Sequence, residues 1–246
     1  MRRRAPRGCA RPRNCLDSRQ KLLRLHRDLV ACRRCPRLVH WRERIAREKT
    51  KRFATEEYWG KPVPSFGDFN ARLLIVGLAP AAHGGNRTGR TFTGDRSGDW
   101  LYRALHKAGF ANQPVSTHRT DGLKLKDCLI TAPCRCAPPA NQPTPAEFAN
   151  CRGFILTEVA LMKQIRVVIA LGKIAFATAL SVFGEVYGID HSPKPKFAHR
   201  AEVKLTGKIT LLASFHPSQQ NTFTGRLTEA MFDGVFRRAR QLLDSE

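Results

Sequence analysis

The 246-residue chain, 42% hydrophobic, is long enough to bury one substantial core, and its 43 Lys and Arg against 20 Asp and Glu give a formal charge of +23. That excess is beyond what solubility needs and has the sign that releases counterions from a phosphate backbone, so a nucleic acid is the expected partner, an evenly spread basic surface being the alternative. No run reaches the roughly 18 apolar residues of a membrane span, so no membrane role is expected, and the eight cysteines, with no secretory signal, are expected to be reduced thiols in the cytoplasm.

Residues 1–16, with six Arg and no acid, read as a basic flexible arm ahead of a single domain over 17–246, expected to act as a monomer. From Asp17 to Leu38 the spacing of Leu22, Leu23, Leu25, Leu29 and Val30 predicts a helix, with Cys32 and Cys35 at its end. Arg52 to Asn70 is aromatic and broken by Pro and Gly, which reads as loop. Arg72 to Ala79 then predicts a buried parallel-type strand that runs into a glycine-rich segment.

Asp99 to Phe110 has helical spacing, and Lys126 to Ala132 predicts a second short strand before a proline-rich stretch. Pro145 to Met162 predicts a helix with Pro at its first position and Glu147 in its first turn. The RVVIALG run that follows is a third strand, Lys173 to Val182 a helix, Lys208 to Ser214 a fourth strand, and Met231 to Leu243 a closing amphipathic helix. This alternation predicts an α/β fold with a mainly parallel sheet, in which chemistry collects in the loops beyond the carboxyl ends of the strands.

Two such loops carry candidate residues. GLAPAAHGGNRTGRTFTGD, Gly77 to Asp95, has glycines for close backbone approach and donors in Asn86, Arg87, Thr88 and Arg90, which suits a phosphate or a base; a long mobile loop is the competing account. FHPSQQNTFTGRLTEA, Phe215 to Ala230, places His216 where a strand ends and where it could stabilise a developing anion. Gln219, Gln220 and Asn221 could face DNA and Arg226 a phosphate, or all four could belong to a solvated loop. Separately, Cys32-x2-Cys35 with the distant Cys136 and Cys151 could close an iron–sulfur cluster or a zinc site, a choice that ligand count alone does not make; Cys9, Cys15, Cys128 and Cys134 stand outside this set.

The paired strings GLAPAAHGGNRTGRTFTGD and HPSQQNTFTGR resemble the active-site motifs of the uracil-DNA glycosylase superfamily in its family-5 (type b) form, over about Ala31 to Arg237. The resemblance implies a central four-stranded parallel sheet flanked by helices in three layers. It also implies monofunctional hydrolysis of the N-glycosidic bond of a uracil flipped out of DNA. It places Gly77, Ala79, Pro80 and His83 around the base, Phe92 stacked on it, and His216 bonded to it as charge grows on the leaving group. It further implies a [4Fe-4S] cluster on Cys32, Cys35, Cys136 of RCAPP and Cys151 of ANCRGF, with Cys134 competing for the third place.

Two departures qualify these expectations. Gly77, Leu78, Ala79 and Pro80 lack the acid or amide with which several superfamily members orient the attacking water, so either backbone or a later residue holds it, with Asn86 and Asp95 the candidates and His83 behind them; Asn86 also reads as a turn residue and Asp95 as a helix cap. Ala132 stands where the related family-4 enzymes carry a base-reading Asn, which predicts activity on hypoxanthine and other deaminated bases as well as uracil. The alternative function is a non-catalytic nucleic-acid-binding protein with a metal-stapled glycosylase-like fold; a metal-dependent nucleotide hydrolase lacks the carboxylate cluster it needs.

Overall fold

A computed structural model describes residues 17–245, so the predicted basic arm at 1–16 lies outside the described residues. Four parallel strands form the centre of the sheet: β2 (Leu73–Val76), β3 (Cys128–Thr131), β4 (Val167–Leu171) and β6 (Thr210–Ser214). These are the four strands expected from their apolar runs. Two short antiparallel edge strands, β1 (Phe66–Gly67) and β5 (Glu202–Lys204), extend the sheet to six in the order β1-β3-β2-β4-β6-β5.

Every residue of the four central strands is buried because both faces are covered. Successive residues alternate sides: Leu74, Val76, Val168 and Ala170 meet α1 (Ser18–Val30), α5 (Pro145–Leu161) and α6 (Lys173–Tyr187), while Leu73, Ile75, Ile169 and Leu171 meet α4 (Arg96–Lys107) and α8 (Glu229–Asp244). The result is the expected three-layer arrangement. Among the described residues no helix is long and apolar enough to cross a membrane.

The predicted helix over Asp17–Leu38 is corrected. The chain forms α1 and then α2 (Pro36–Glu48), with Cys32 and Cys35 in the turn between them. Pro36 has no N–H to continue α1 and instead occupies the first position of α2, where none is needed. Two short helices complete the motif loops: α3 (Gly85–Thr88) inside the first and α7 (Gln219–Phe223) inside the second.

The loops after β2, β3, β4 and β6 all open at one end of the sheet, where the strands' carboxyl ends lie.

Candidate active site and cysteine cluster

The two motif loops face each other across this end of the sheet. The Phe92 and His216 rings are 5.9 Å apart between centroids and inclined by 31°. Phe92 adopts φ 53, a left-handed backbone that a bulky side chain takes only when its surroundings impose it. Two glycines impose it here. A side chain at Gly98 would run into the Phe92 carbonyl, and a Cβ on Gly77 would stand 2.9 Å from Phe92 Cε2, so the ring lies flat against bare backbone.

His216 follows Ser214 by two residues and is half-buried. Burial lowers its pKa to about 4, so the imidazole is neutral at neutral pH. No hydrogen bond to its ring nitrogens is formed among the described residues, which leaves a donor free to meet a ligand. Asn221 holds the loop beneath it, Nδ2 donating to His216 O at 2.8 Å, while Ser218 caps α7. Asn221, expected at the DNA, is thus turned inward as a brace, whereas Gln219, Gln220 and Arg226 remain exposed.

Around Phe92 the pocket floor comes from the end of β2 and β3. Gly77 N–H donates to Thr131 O at 2.8 Å and Cys134 N–H to Leu78 O at 3.2 Å, bringing Ala132, buried at the end of β3, beside the first motif. Pro80 is buried under Gly85, and Ala79 packs toward Cys134 and Cys136. His83 bonds through Nδ1 to Tyr58 Oη at 3.0 Å, and burial together with the nearby Arg87 charge lowers its pKa, so it too is neutral.

The two water-orienting candidates differ in surroundings. Asp95 caps α4, its Oδ1 accepting from Gly98 N–H at 2.9 Å, and its other oxygen lies against Gly84; burial raises its pKa. Asn86 is buried, with Nδ2 donating to Arg42 O at 3.2 Å and Oδ1 left without a protein partner. Both therefore tie the loop to the body of the protein, as cap and as brace, and Asn86 keeps its Oδ1 uncommitted.

Arg87 and Arg90, expected to contact DNA, are corrected: both are buried and committed to the loop's own architecture. Arg87 donates to His83 O at 2.8 Å and Gly94 O at 3.3 Å, pairs with Glu56, and stacks on Phe53. Arg90 donates to Thr93 Oγ1, Ser116 Oγ and Asp121 at 2.9, 2.7 and 2.5 Å. Guanidinium groups whose three nitrogens are each bonded within the protein in this way fix a long loop and are turned away from a phosphate.

A residue that the sequence reading passed over stands in their place. Phe223, at the end of α7, is 66% exposed with the Arg96 guanidinium 4.4 Å from its ring centre. An exposed aromatic in the second motif loop with a cation over its ring has the character of a side chain that wedges into a base stack. The signal in the sequence was an aromatic residue amid polar neighbours in the second motif.

The four cysteines of the expected cluster converge. Cys32, Cys35, Cys136 and Cys151 line one small internal cavity with Arg42 and Arg135, whereas Cys134 lies below it, its thiol donating to Cys136 O at 3.4 Å. Burial pushes the Cys136 thiol up to about 12 against the pull of Arg42, whose Nη1 donates to its sulfur at 2.8 Å, and burial raises Cys151 as well. Arg42 Nε and Arg135 Nε and Nη1 are buried donors without a protein acceptor. Among the described residues no three His, Cys, Asp or Glu side chains gather around one point as a single ion requires.

Beside the cavity runs a buried polar network. Arg135 Nη2 donates to Thr131 Oγ1 at 2.6 Å and pairs with Glu158, which also accepts from Thr131 Oγ1 at 2.6 Å and Ser65 Oγ at 2.9 Å; His26 of α1 sits 2.7 Å from Ser65 Oγ. α1, β3, the cysteine loop and α5 meet here.

Comparison with known proteins matches this frame. The family model of the uracil DNA glycosylase superfamily matches residues 64–240. The chain is similar to the type-5 uracil-DNA glycosylase of Mycobacterium tuberculosis (strain CDC 1551 / Oshkosh), 52% identical over 219 residues that cover 89% of this chain and 80% of the relative. It is likewise similar to type-5 uracil-DNA glycosylases of Thermus thermophilus, at 50% identity covering 87% of this chain and 94% of the relative, and of Pyrobaculum aerophilum, at 44% covering 86% and 88%.

Proposed function

The chain belongs to the uracil DNA glycosylase superfamily, and from that premise we infer that it is a DNA-repair enzyme hydrolysing the N-glycosidic bond of uracil in DNA. The observation that carries the reading is the neutral, unpartnered imidazole of His216 facing Phe92 across the pocket. A flipped uracil stacks on Phe92, and the His216 N–H meets the oxygen on which negative charge collects as the bond breaks. A neutral donor suits this task, since it bonds the anion without first surrendering a proton. Asp95 and Asn86 are the groups that orient the attacking water, Asn86 with an Oδ1 that no protein donor meets. Gln219, Gln220, Arg226, Arg96 and Phe223 form the DNA-facing rim.

The base pocket carries no amide where Ala132 closes the end of β3, so no buried polar group is left unpaired by a base other than uracil. Hypoxanthine is therefore a second substrate. The test incubates the protein, without added metal, with matched oligonucleotides carrying uracil or hypoxanthine and counts alkali-sensitive abasic sites. Abasic product from both is expected, and Ala132→Asn narrows the range toward uracil. Cleavage of uracil alone by the unaltered protein would refute the wide pocket, and cleavage of neither would refute the enzyme.

Cys32, Cys35, Cys136 and Cys151 are the residues to hold a [4Fe-4S] cluster. Four thiols around one cavity, with buried donors of Arg42 and Arg135 lacking an acceptor, suit an anionic sulfur-rich group. The group's contribution is structural, pinning the α1–α2 turn to the connection between β3 and α5. Protein purified anaerobically is expected to contain iron and to lose it in Cys151→Ser; stoichiometric zinc without iron would overturn the assignment.

A further inference from the structure

Behind the first motif loop, α1, α2 and the segment from Tyr58 to Pro64 enclose a groove of about 860 Å³. Its floor is apolar and includes Leu23, 47% exposed. Its rim carries Arg27, Arg33, Arg47, Lys61 and Arg119, all exposed, against the single carboxylate of Glu43, which Arg33 holds at 2.5 Å. Arg27 and Arg47 form no ion pair among the described residues. With Arg33 taken up by Glu43, the four other exposed cations around the groove leave it with an excess of positive charge that a polyanion would relieve.

The groove continues from the motif loop. Trp59, in its wall, donates its backbone N–H to Arg87 O at 2.8 Å and packs its ring on Gly89, while Gly60 N–H donates to Asn86 O at 3.0 Å. Arg119 and Lys61 stand 4.3 and 5.5 Å from the Trp59 ring, so cations lie beside its aromatic surface. What this wall presents to a ligand is charge.

Charge also narrows the occupant. A second copy of a chain of formal charge +23 is repelled, and so are residues 1–16 with their six Arg and no acid. We propose that the groove takes the sugar–phosphate backbone of DNA flanking the flipped nucleotide, a phosphate track separate from the catalytic pocket. The proposal rests on the DNA glycosylase reading for the nature of the polyanion.

The test compares binding to a short duplex that spans only the motif loops with binding to one longer by about one helical turn on each side, both centred on uracil. Arg27→Glu/Arg47→Glu is expected to lose the affinity gained with length, and the slope of log affinity against log salt to shrink by about two, near one per lost phosphate contact. Lys163→Glu/Lys208→Glu changes net charge equally at exposed sites ahead of β4 and β6, the opposite end of the sheet, and is expected to bind as the unaltered protein does. Equal losses in the two variants, or full affinity of Arg27→Glu/Arg47→Glu for the long duplex, would overturn the proposal. Excision by the unaltered protein is read in the same samples: no excision with groove-dependent binding defeats the enzymatic reading alone, and excision with groove-independent binding defeats the groove alone.

Discussion

His216→Ala is expected to fold and bind uracil-containing DNA while lowering single-turnover excision by roughly two to three orders of magnitude, the loss on removing one preorganised donor. The fold survives because nothing among the described residues bonds to the ring, so its removal orphans no buried partner. The cost falls on the transition state, where negative charge on the departing base meets a water-poor pocket. The pKa of about 4 adds a second readout. The ring stays neutral through the range where an ordinary histidine titrates, so the rate should show no break near pH 6.5 that His216→Ala abolishes. The sign for stability follows: the unfolded chain takes this proton near 6.5 and the folded one near 4, so the contribution is complete above the first value and is lost as pH falls toward the second. Unchanged single-turnover excision in His216→Ala would remove the residue from the mechanism.

The second large effect is on stability. Glu158→Gln is expected to cost about 3–5 kcal/mol, measured by urea unfolding, because it leaves the Arg135 charge buried and uncompensated. Both side chains are 1% exposed. Burial alone pushes the Glu158 carboxyl up, but Arg135 with the bonds from His26 and Thr131 brings it to about 2. A carboxylate so depressed stabilises the fold fully above its unfolded value near 4.5, and that contribution is lost as pH falls from there toward 2. The double change Arg135→Met/Glu158→Leu should cost much less than Glu158→Gln, since it removes the pair and not one partner. A cost below about 1 kcal/mol for Glu158→Gln would mean that another anion compensates Arg135.

What the sequence made legible follows from how each element is stabilised. The central strands announce themselves because burial on both faces demands unbroken apolar runs, as in LLIV and VVIAL. β1 and β5, two and three residues long and partly exposed, have no such run to display. α2 was hidden because its outer face is full of Arg and Glu, and because apolar spacing ran through the turn at Pro36 without marking it. Phe92, His216 and the four cysteines could be singled out as candidates because motif, spacing and resemblance mark them. Arg87 and Arg90 were misread because composition cannot distinguish an arginine that meets solvent from one whose acceptors arrive from residues 56, 116 and 121.

The seat of α1 sets an order of events during synthesis. Its buried Leu22 packs in the cluster that holds Leu129 of β3 and Ile155 and Val159 of α5, and His26 stands 3.4 Å from Glu158 of α5, over a hundred residues later in the chain. At about 5–20 residues per second the ribosome needs of the order of 5–20 s to deliver them. A 13-residue helix is marginal alone in water, so this segment waits as a nascent, fluctuating chain while the sheet is assembled behind it. A segment made early thus docks only once its partners on β3 and α5 have been made.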